Sequence, residues 1–514
     1  MTFEVGENTA DTERSLVERL ADEGVDLGSS SVSIRTVLDT FDGRLDRAGL
    51  RCELRSVRPT GPFQLVVSDR LGADASLAVD SPVISVDDLA SPLRERLAVV
   101  TRGRSLEPRL TVVAPVRRGA LSDAASDIVA MVTLIGAGRA AAGPLRSSRR
   151  GWPATPVMVE ISTLTARRKL VKPLMAALRE AALTPIEGDI VDHSMRLCGI
   201  SPSGFDTAPA IALEEFIPAT ECVRLVLTHL ADMVEATWVG TVEERDVEYL
   251  HEFRIAARRT RTVLGACRSL VPEELSISGR SLFAVLGELT GPARDLDVTV
   301  GRWTTLTSSL EAERRDALEP LRLLLDERRR VAHRRLSDGL RTRSTRRSMD
   351  AWRGSLGEPF VGVECGTAAE EIERRIRRAH RRLVAHGRAI DLESPAEQLH
   401  ALRKDAKKLR YLIECFAELL APKPRAKYVT QLRRLQENLG EYQDCEVQAV
   451  MFEELAGELQ SQGATVETLL AIGLLIAGLD ERRMSARNEF ADRFAAFDAD
   501  RTRSTFDDMI HRAR

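Results

Sequence analysis

The chain has 514 residues, 43% of them hydrophobic and 29% charged, with a formal net charge of −3. That length holds two or three domains with cores of their own, and that composition is of a soluble globular protein. The near-neutral total singles out no partner, because many of the 74 basic residues are segregated into runs on predicted helices.

Seven scattered cysteines (Cys52, Cys198, Cys222, Cys267, Cys365, Cys415 and Cys445) form no CxxC pair and are odd in number. This sets aside a disulfide framework or a zinc site and fits a reducing cytoplasm. The opening stretch MTFEVGENTADTERS lacks the apolar core of a signal peptide. The most apolar run, LLAIGLLIAGL at residues 469–479, falls far short of the ~20 residues a membrane span needs and reads as a buried helix.

In chain order, residues 1–200 are mixed. Short β-branched runs (FQLVVS, RLTVVAPV, VMVEIS) alternate with turn signals, and RKLVKPLMAALREAAL has a helical pattern. Residues 201–210, within the Gly-, Pro- and Ser-rich GISPSGFDTAPA, read as a linker. From residue 211 to 514 strand signals nearly vanish and apolar residues recur at helical spacing, with breaks near Pro272, Pro359 and Pro422.

The second zone repeats itself. His251 and His400 stand 149 positions apart, and the same offset takes Arg254 to Arg403, Arg258 to Lys407, Arg259 to Lys408 and Arg261 to Arg410. It also takes Gly291 to Gly440, Asp295 to Asp444 and Val298 to Val447, so LGELTGPARDLDV and LQENLGEYQDCEV are one element in two copies. A weaker match pairs LDERRRVAHRRL from Leu325 with LDERRMSARNEF from Leu479. Each copy has room for about four helices. The fold class expected is an α+β domain followed by an all-α domain of two tandem four-helix bundles, residues 211–355 and 365–514, related by a pseudo-twofold axis.

On a helix, His251, Arg254, Arg258 and Arg261 share one face, with Phe253, Ala257 and Leu264 free to pack on another. His400, Arg403, Lys407 and Arg410 repeat that stripe. Like charges at this spacing destabilise a helix, and an anion on the stripe offsets that cost. A solvated face has no reason to hold the same basic positions twice, in the pattern H-x-x-R-x-x-x-[RK]-[RK]-x-R. Further basic helices around Arg329 and His333, and around Arg374, Arg377, Arg378 and Arg381, could add charge or be solvated faces paired with acids. Asp295 and Asp444 are expected to hold neighbouring arginines in place, as is Asp297, rather than to bind metal. Spaced guanidinium and ammonium groups suit a linear polyanion. Only Tyr411 offers an aromatic platform beside either stripe, and no nucleic-acid motif is present, so recognition of phosphate alone fits better than base stacking.

These motifs, in order in both halves, closely resemble the CHAD family (conserved histidine α-helical domain) over residues 211–514. The resemblance implies paired four-helix bundles around a basic cavity that binds inorganic polyphosphate, no cofactor, and in some members association with polyphosphate granules. It makes His251, Arg254, Arg258, Arg261, His400, Arg403, Lys407 and Arg410 the expected phosphate contacts. Residues 1–200 resemble the CYTH or triphosphate-tunnel family, through TVLDTFDGRLDRAGLRCELR, SPLRERLAVVTRGRSLEPRLTV and VMVEISTL. That resemblance implies a β-barrel tunnel with carboxylates for metal and basic residues for triphosphate. The chain departs from it: the opening ExExK is reduced to Thr2, Glu4 and Gly6, Val66 stands at an expected basic position, and Met195 and Arg196 stand near the late lysine. Arg51, Arg55, Asp39 and Glu160 remain. The reading is a degenerate tunnel domain joined to a non-catalytic, cytoplasmic polyphosphate binder. The alternatives are a metal-dependent triphosphatase using Glu4 and Glu160, and a nucleic-acid-binding module.

Overall fold

The structure of the chain, a computed structural model, describes residues 1–5, 10–69, 74–81, 85–123, 125–144, 151–163, 170–181, 183–200, 213–361 and 365–510. The expected linker at 201–210, and Gly6 of the reduced motif, lie outside the described residues. The chain divides into two compact units, Met1–Asp206 and Thr207–Arg514.

The first unit is built on an antiparallel sheet. Its strands are β1 (Thr2–Val5), β2 (Val25–Leu27), β3 (Ser31–Asp39), β4 (Leu50–Ser56), β5 (Phe63–Asp69), β6 (Asp74–Val79), β7 (Glu107–Ser122), β8 (Ile128–Ile135), β9 (Gly138–Ala142), β10 (Ala154–Thr155), β11 (Met158–Thr163) and β12 (Leu183–Ile186). The main path runs β12-β1-β11-β8-β7-β3-β4-β5-β6. Among the described residues no ladder joins β6 to β12, so the sheet is not closed there. The helices are α1 (Ala10–Asp22), α2 (Arg44–Arg47), α3 (Leu93–Thr101), α4 (Lys172–Glu180) and α5 (Ile190–Leu197). Leu16 and Leu20 of α1 and Leu174 and Leu178 of α4 bury against Phe3, Val132 and Val159. On a second core, Leu93 and Leu97 of α3 cover Cys52, Leu65 and Val67. The run predicted as one helix over 168–183 ends earlier, because Leu183 turns into β12 and pairs with Val5.

The second unit is helical. The first half carries α6 (Ala219–Val242), α7 (Val247–Ala266), α8 (Glu273–Gly301), α9 (Trp303–Thr307), α10 (Ala312–Ala317), α11 (Glu319–Arg341) and α12 (Arg343–Ser355). The second carries α13 (Ala368–Arg388), α14 (Ala396–Cys415), α15 (Pro422–Ser461), α16 (Val466–Phe497) and α17 (Asp500–Ile510). The starts of α6 and α13, of α7 and α14, and of α8 and α15 are each separated by the sequence offset of 149.

A backbone contact fixes the relation between the halves. The Ala219 N–H donates to Gly366 O at 3.1 Å, and the Ala368 N–H donates to Ile217 O at 2.9 Å. The two bonds exchange under the 149 offset, around an antiparallel bridge of Pro218 with Thr367. A self-complementary contact of this kind places a local twofold axis between its partners.

Each half exceeds the four helices expected: the first inserts the short α9 and α10 between α8 and α11, and both close with a short terminal helix, α12 and α17. Trp352 of α12 packs edge-on against Phe283, with centroids 5.6 Å apart, and Phe506 of α17 lies 5.2 Å from Tyr428. The α16 run at residues 469–479 is amphipathic rather than buried throughout. Ala471, Ile472, Leu475 and Leu479 enter the core, while Leu470 and Leu474 are 55% and 48% exposed. Among the described residues no helix is long and apolar enough to cross a membrane.

Close packing has one sharp test. A β-carbon on Gly240 of α6 would sit 2.2 Å from the Tyr249 ring, and Tyr249 is buried. Gly240→Ala should therefore destabilise the helical unit by roughly 1–3 kcal/mol, read as a lower denaturant midpoint; an unchanged midpoint would contradict this packing.

Candidate polyanion-binding site

The α7 helix starts where the Asp246 side chain accepts hydrogen bonds from the Glu248 and Tyr249 N–H groups, satisfying two amides that a helix start leaves open. Phe253, Ala257 and Leu264 bury on its inner face, as the spacing predicts. On α14, Leu402, Ala406 and Leu409 do the same. Their basic stripes converge.

A cavity of about 710 Å³ lies between α7, α8, α14 and α15. Its lining includes His251, Arg254 and Arg258 and their offset mates His400, Arg403 and Lys407, together with Arg259, Arg294, Arg410 and Arg433. Asp295, Asp444 and Glu414 are its carboxylates. Eight Arg and Lys side chains face three acids, in a chain whose total is slightly negative. Gly291 and Gly440 stand beside the paired arginines: a β-carbon on each would make ordinary van der Waals contact, 3.5 Å from Arg254 Nη1 and 3.8 Å from Arg403 Nη2.

The two halves hold their arginines differently. Arg254 donates from Nη1 to Thr290 Oγ1 at 3.0 Å, a neutral partner. Arg403 donates from Nη2 to Asp444 Oδ1 at 2.8 Å, while His400 Nδ1 bonds Gln443 Oε1. The buried Arg403 Nε and Arg410 Nε have no hydrogen-bond acceptor, which leaves donors to be met by something else.

Burial, with Arg258 and Arg294 nearby, lowers the Arg254 guanidinium to about 10, against the pull of Asp295. Burial, with Arg403, Arg258 and Arg410, lowers the Lys407 ammonium to about 8, with Asp444 opposing. Desolvated cations beside like charges are unstable unless an anion joins them.

Residues 224–453 match the family described as the CHAD domain. The chain carries a CHAD domain. The chain is similar to the CHAD domain from the plant Ricinus communis, with 24% identity over 56% of this chain and 96% of that one and a TM-score of 0.48. It is similar to PptA from Streptomyces chartreusis, with 18% identity over 54% and 99% and a TM-score of 0.46. It is also similar to a putative adenylate cyclase from Bacillus halodurans, with 12% identity over 37% and 94% and a TM-score of 0.26. Comparison with curated proteins gives no match.

Not every basic residue singled out in the sequence enters the CHAD cavity. Arg261 lines an adjoining space of about 280 Å³ with Arg254 and Arg258, and Lys408 is exposed outside the lining. Arg329 and His333 instead bond Asp297 Oδ1, at 2.7 and 2.9 Å; Asp297 is buried and takes the structural part expected of it. Arg374 pairs with Glu371, and Arg377 with Glu373 and Asp507. Arg378 and Arg381 are exposed on α13. These runs look like the stripe in sequence because net basicity does not reveal which acids face it. Conversely, Arg294, Arg433 and Glu414 line the cavity and were missed. Arg294 adjoins the repeated Asp295, which is the one signal that could have found it. Among the described residues, the group of potential metal ligands is Glu248, His251 and Glu252, side by side on α7.

The first unit has a larger cavity, about 1300 Å³, lined in part by Arg35, Arg51, Arg55, Glu160, Asp189 and Asp192. Apart from the exposed Arg118, its arginines are matched internally. Arg35 donates to Glu53 at 2.8 Å and to Asp189 at 2.9 Å; Arg51 pairs with Asp189 and Asp192; Arg55 pairs with Glu53 at 2.8 Å. Burial pushes Asp189 up, but Arg35 and Arg51 outweigh it and hold the carboxyl at about 2. Burial holds Glu160 above its usual range despite Arg35, while Glu160 accepts from the Ile190 N–H. Glu4, the other acid of the triphosphatase alternative, stands 3.6 Å from His193 Nδ1 and outside this lining. Asp39 accepts from the Thr40, Leu45 and Asp46 N–H groups and serves the turn into α2.

The strained ammonium of Lys407 gives a test that needs no ligand. Below pH 8 both folded and unfolded chains carry its charge, so the penalty is complete; between pH 8 and its ordinary 10.5 the unfolded chain binds more protons, and this group's contribution rises with pH. Lys407→Met should stabilise the CHAD domain at pH 7 by on the order of 1–3 kcal/mol and remove that rise, measured by denaturant unfolding across pH. A destabilised variant would contradict it.

Proposed function

We propose that the CHAD domain binds a linear polyanion, inorganic polyphosphate, and performs no reaction on it. The observation that carries this reading is the pair of desolvated cations, Arg254 and Lys407, facing one cavity from opposite halves with their pKa values lowered by burial and like charge. A chain of phosphates supplies anionic oxygens at short, regular intervals, and guanidinium forks match them. Base stacking has little to work with, because Tyr411, the aromatic side chain in the lining, is only 6% exposed. The first unit acts as a scaffold whose cavity charges satisfy one another. Association with polyphosphate granules follows if the cavity stays accessible in the cell.

Titration calorimetry of the full chain with long-chain polyphosphate, orthophosphate and duplex DNA tests this. Polyphosphate should bind tightly and lose affinity as salt rises, through counterion release, while DNA at equal phosphate binds far more weakly. Joint replacement of Arg254, Arg258 and Arg403 by Ala should weaken binding by on the order of 100-fold without loss of helical circular dichroism. Equal affinity for DNA, or full affinity in the folded triple variant, would overturn the assignment. Mg²⁺-dependent phosphate release from triphosphate would overturn its non-catalytic part.

A further inference from the structure

The central cations of the cavity come in offset pairs, Arg254 with Arg403 and Arg258 with Lys407, while its acids do not all do so. Asp295 and Asp444 are offset mates, but Glu414 has none, since the residue 149 positions before it is Gly265. Glu414 is set among three arginines. Its Oε2 accepts from Arg259 Nη2 at 2.8 Å, and its Oε1 lies 3.6 Å from Arg410 Nε and 3.7 Å from Arg433 Nη2. Its side chain is 19% exposed and it lines the cavity. Arg433 is likewise particular to the second half, where its mate is Ala284. The cavity thus already holds one carboxylate, Glu414, seated among three guanidinium groups, while Arg254 donates to the neutral Thr290 and Lys407 is crowded by Arg403, Arg258 and Arg410.

We propose that Glu414 is a built-in occupant of the anion cavity that keeps ligand off Arg259, Arg410 and Arg433 and so limits how many phosphates a chain can seat. This rests on the polyanion reading above. A phosphate chain is drawn to the unmatched cations around Arg254 and Lys407. At Glu414 it meets a charge of its own sign held by three arginines, so further phosphates gain nothing unless that carboxylate swings out. Gly265 leaves the twofold-related position without such a gate, and a β-carbon there would meet nothing within 4 Å.

The test uses calorimetry of the full chain with tripolyphosphate and long-chain polyphosphate at several salt concentrations. Glu414→Gln keeps an amide oxygen for Arg259 and removes the charge. It should bind long chains roughly tenfold more tightly, with a salt slope steeper by about one to two ions released, while tripolyphosphate affinity changes far less. Gly265→Glu, which adds an acid at an exposed helical position outside the lining, should change long-chain affinity and slope far less than Glu414→Gln does. Binding by the Gln variant alone, with none by the parent chain, would also support the gate. If the parent binds and Glu414→Gln has the same affinity and slope for both lengths, the gate is overturned while the polyanion reading stands. If neither binds, both fall.

Discussion

Burial of like charge is the constraint on which the helical unit turns. The packing that folds α7 and α14, through Phe253, Ala257, Leu402 and Ala406, also pulls Arg254 and Lys407 out of water beside other cations. Left to stability alone, such positions would be apolar or paired with acids. Other buried charges find partners: Asp297 takes Arg329 and His333, Asp405 takes Arg382 and His386, and Arg487 donates to the Asp391, Leu392 and Ser394 carbonyls. The cavity is where that practice lapses, and it lapses on both sides of the local axis.

Symmetry explains how one sequence motif builds a two-sided site. The exchanged hydrogen bonds between Ala219 and Gly366, and between Ala368 and Ile217, tie the starts of α6 and α13 together. A stripe on α7 is then answered by its copy on α14. Each copied glycine, Gly291 and Gly440, stands beside the copied arginine. Departures from symmetry mark specialisation: Thr290 against Arg254 but Asp444 against Arg403, and Glu414 against Gly265. The first unit presents the contrary case, because Arg35 and Arg51 are matched by Glu53, Asp189 and Asp192.

The helical fold and the centre of the site were legible in the sequence because the repeat wrote them twice. An offset of 149 located α7, α14, α8 and α15 and ten stripe residues, eight of which line the cavity. What occurs once was not legible. Arg433 and Glu414 have no copy, so no repeat could point to them. α12 and α17 escaped the count of four helices because their aromatic anchors, Trp352 and Phe506, follow a different spacing. Arg329, His333, Arg374 and Arg377 lie outside the cavity lining, beside acids whose direction a sequence does not give. The apolar run in α16 was taken as buried because hydrophobicity alone does not say that Leu470 and Leu474 face outward.

The central claim is that the cavity holds cations whose charge awaits an anion, and proton uptake measures that claim directly. An anion seated at Lys407 raises its pKa from about 8, so binding near pH 8.5 must draw protons from the buffer. Calorimetric heats of polyphosphate binding, compared in buffers of different ionisation enthalpy at that pH, should show net proton uptake that Lys407→Met abolishes. Tight binding with no proton uptake in the parent chain, or uptake unchanged in the variant, would contradict the account.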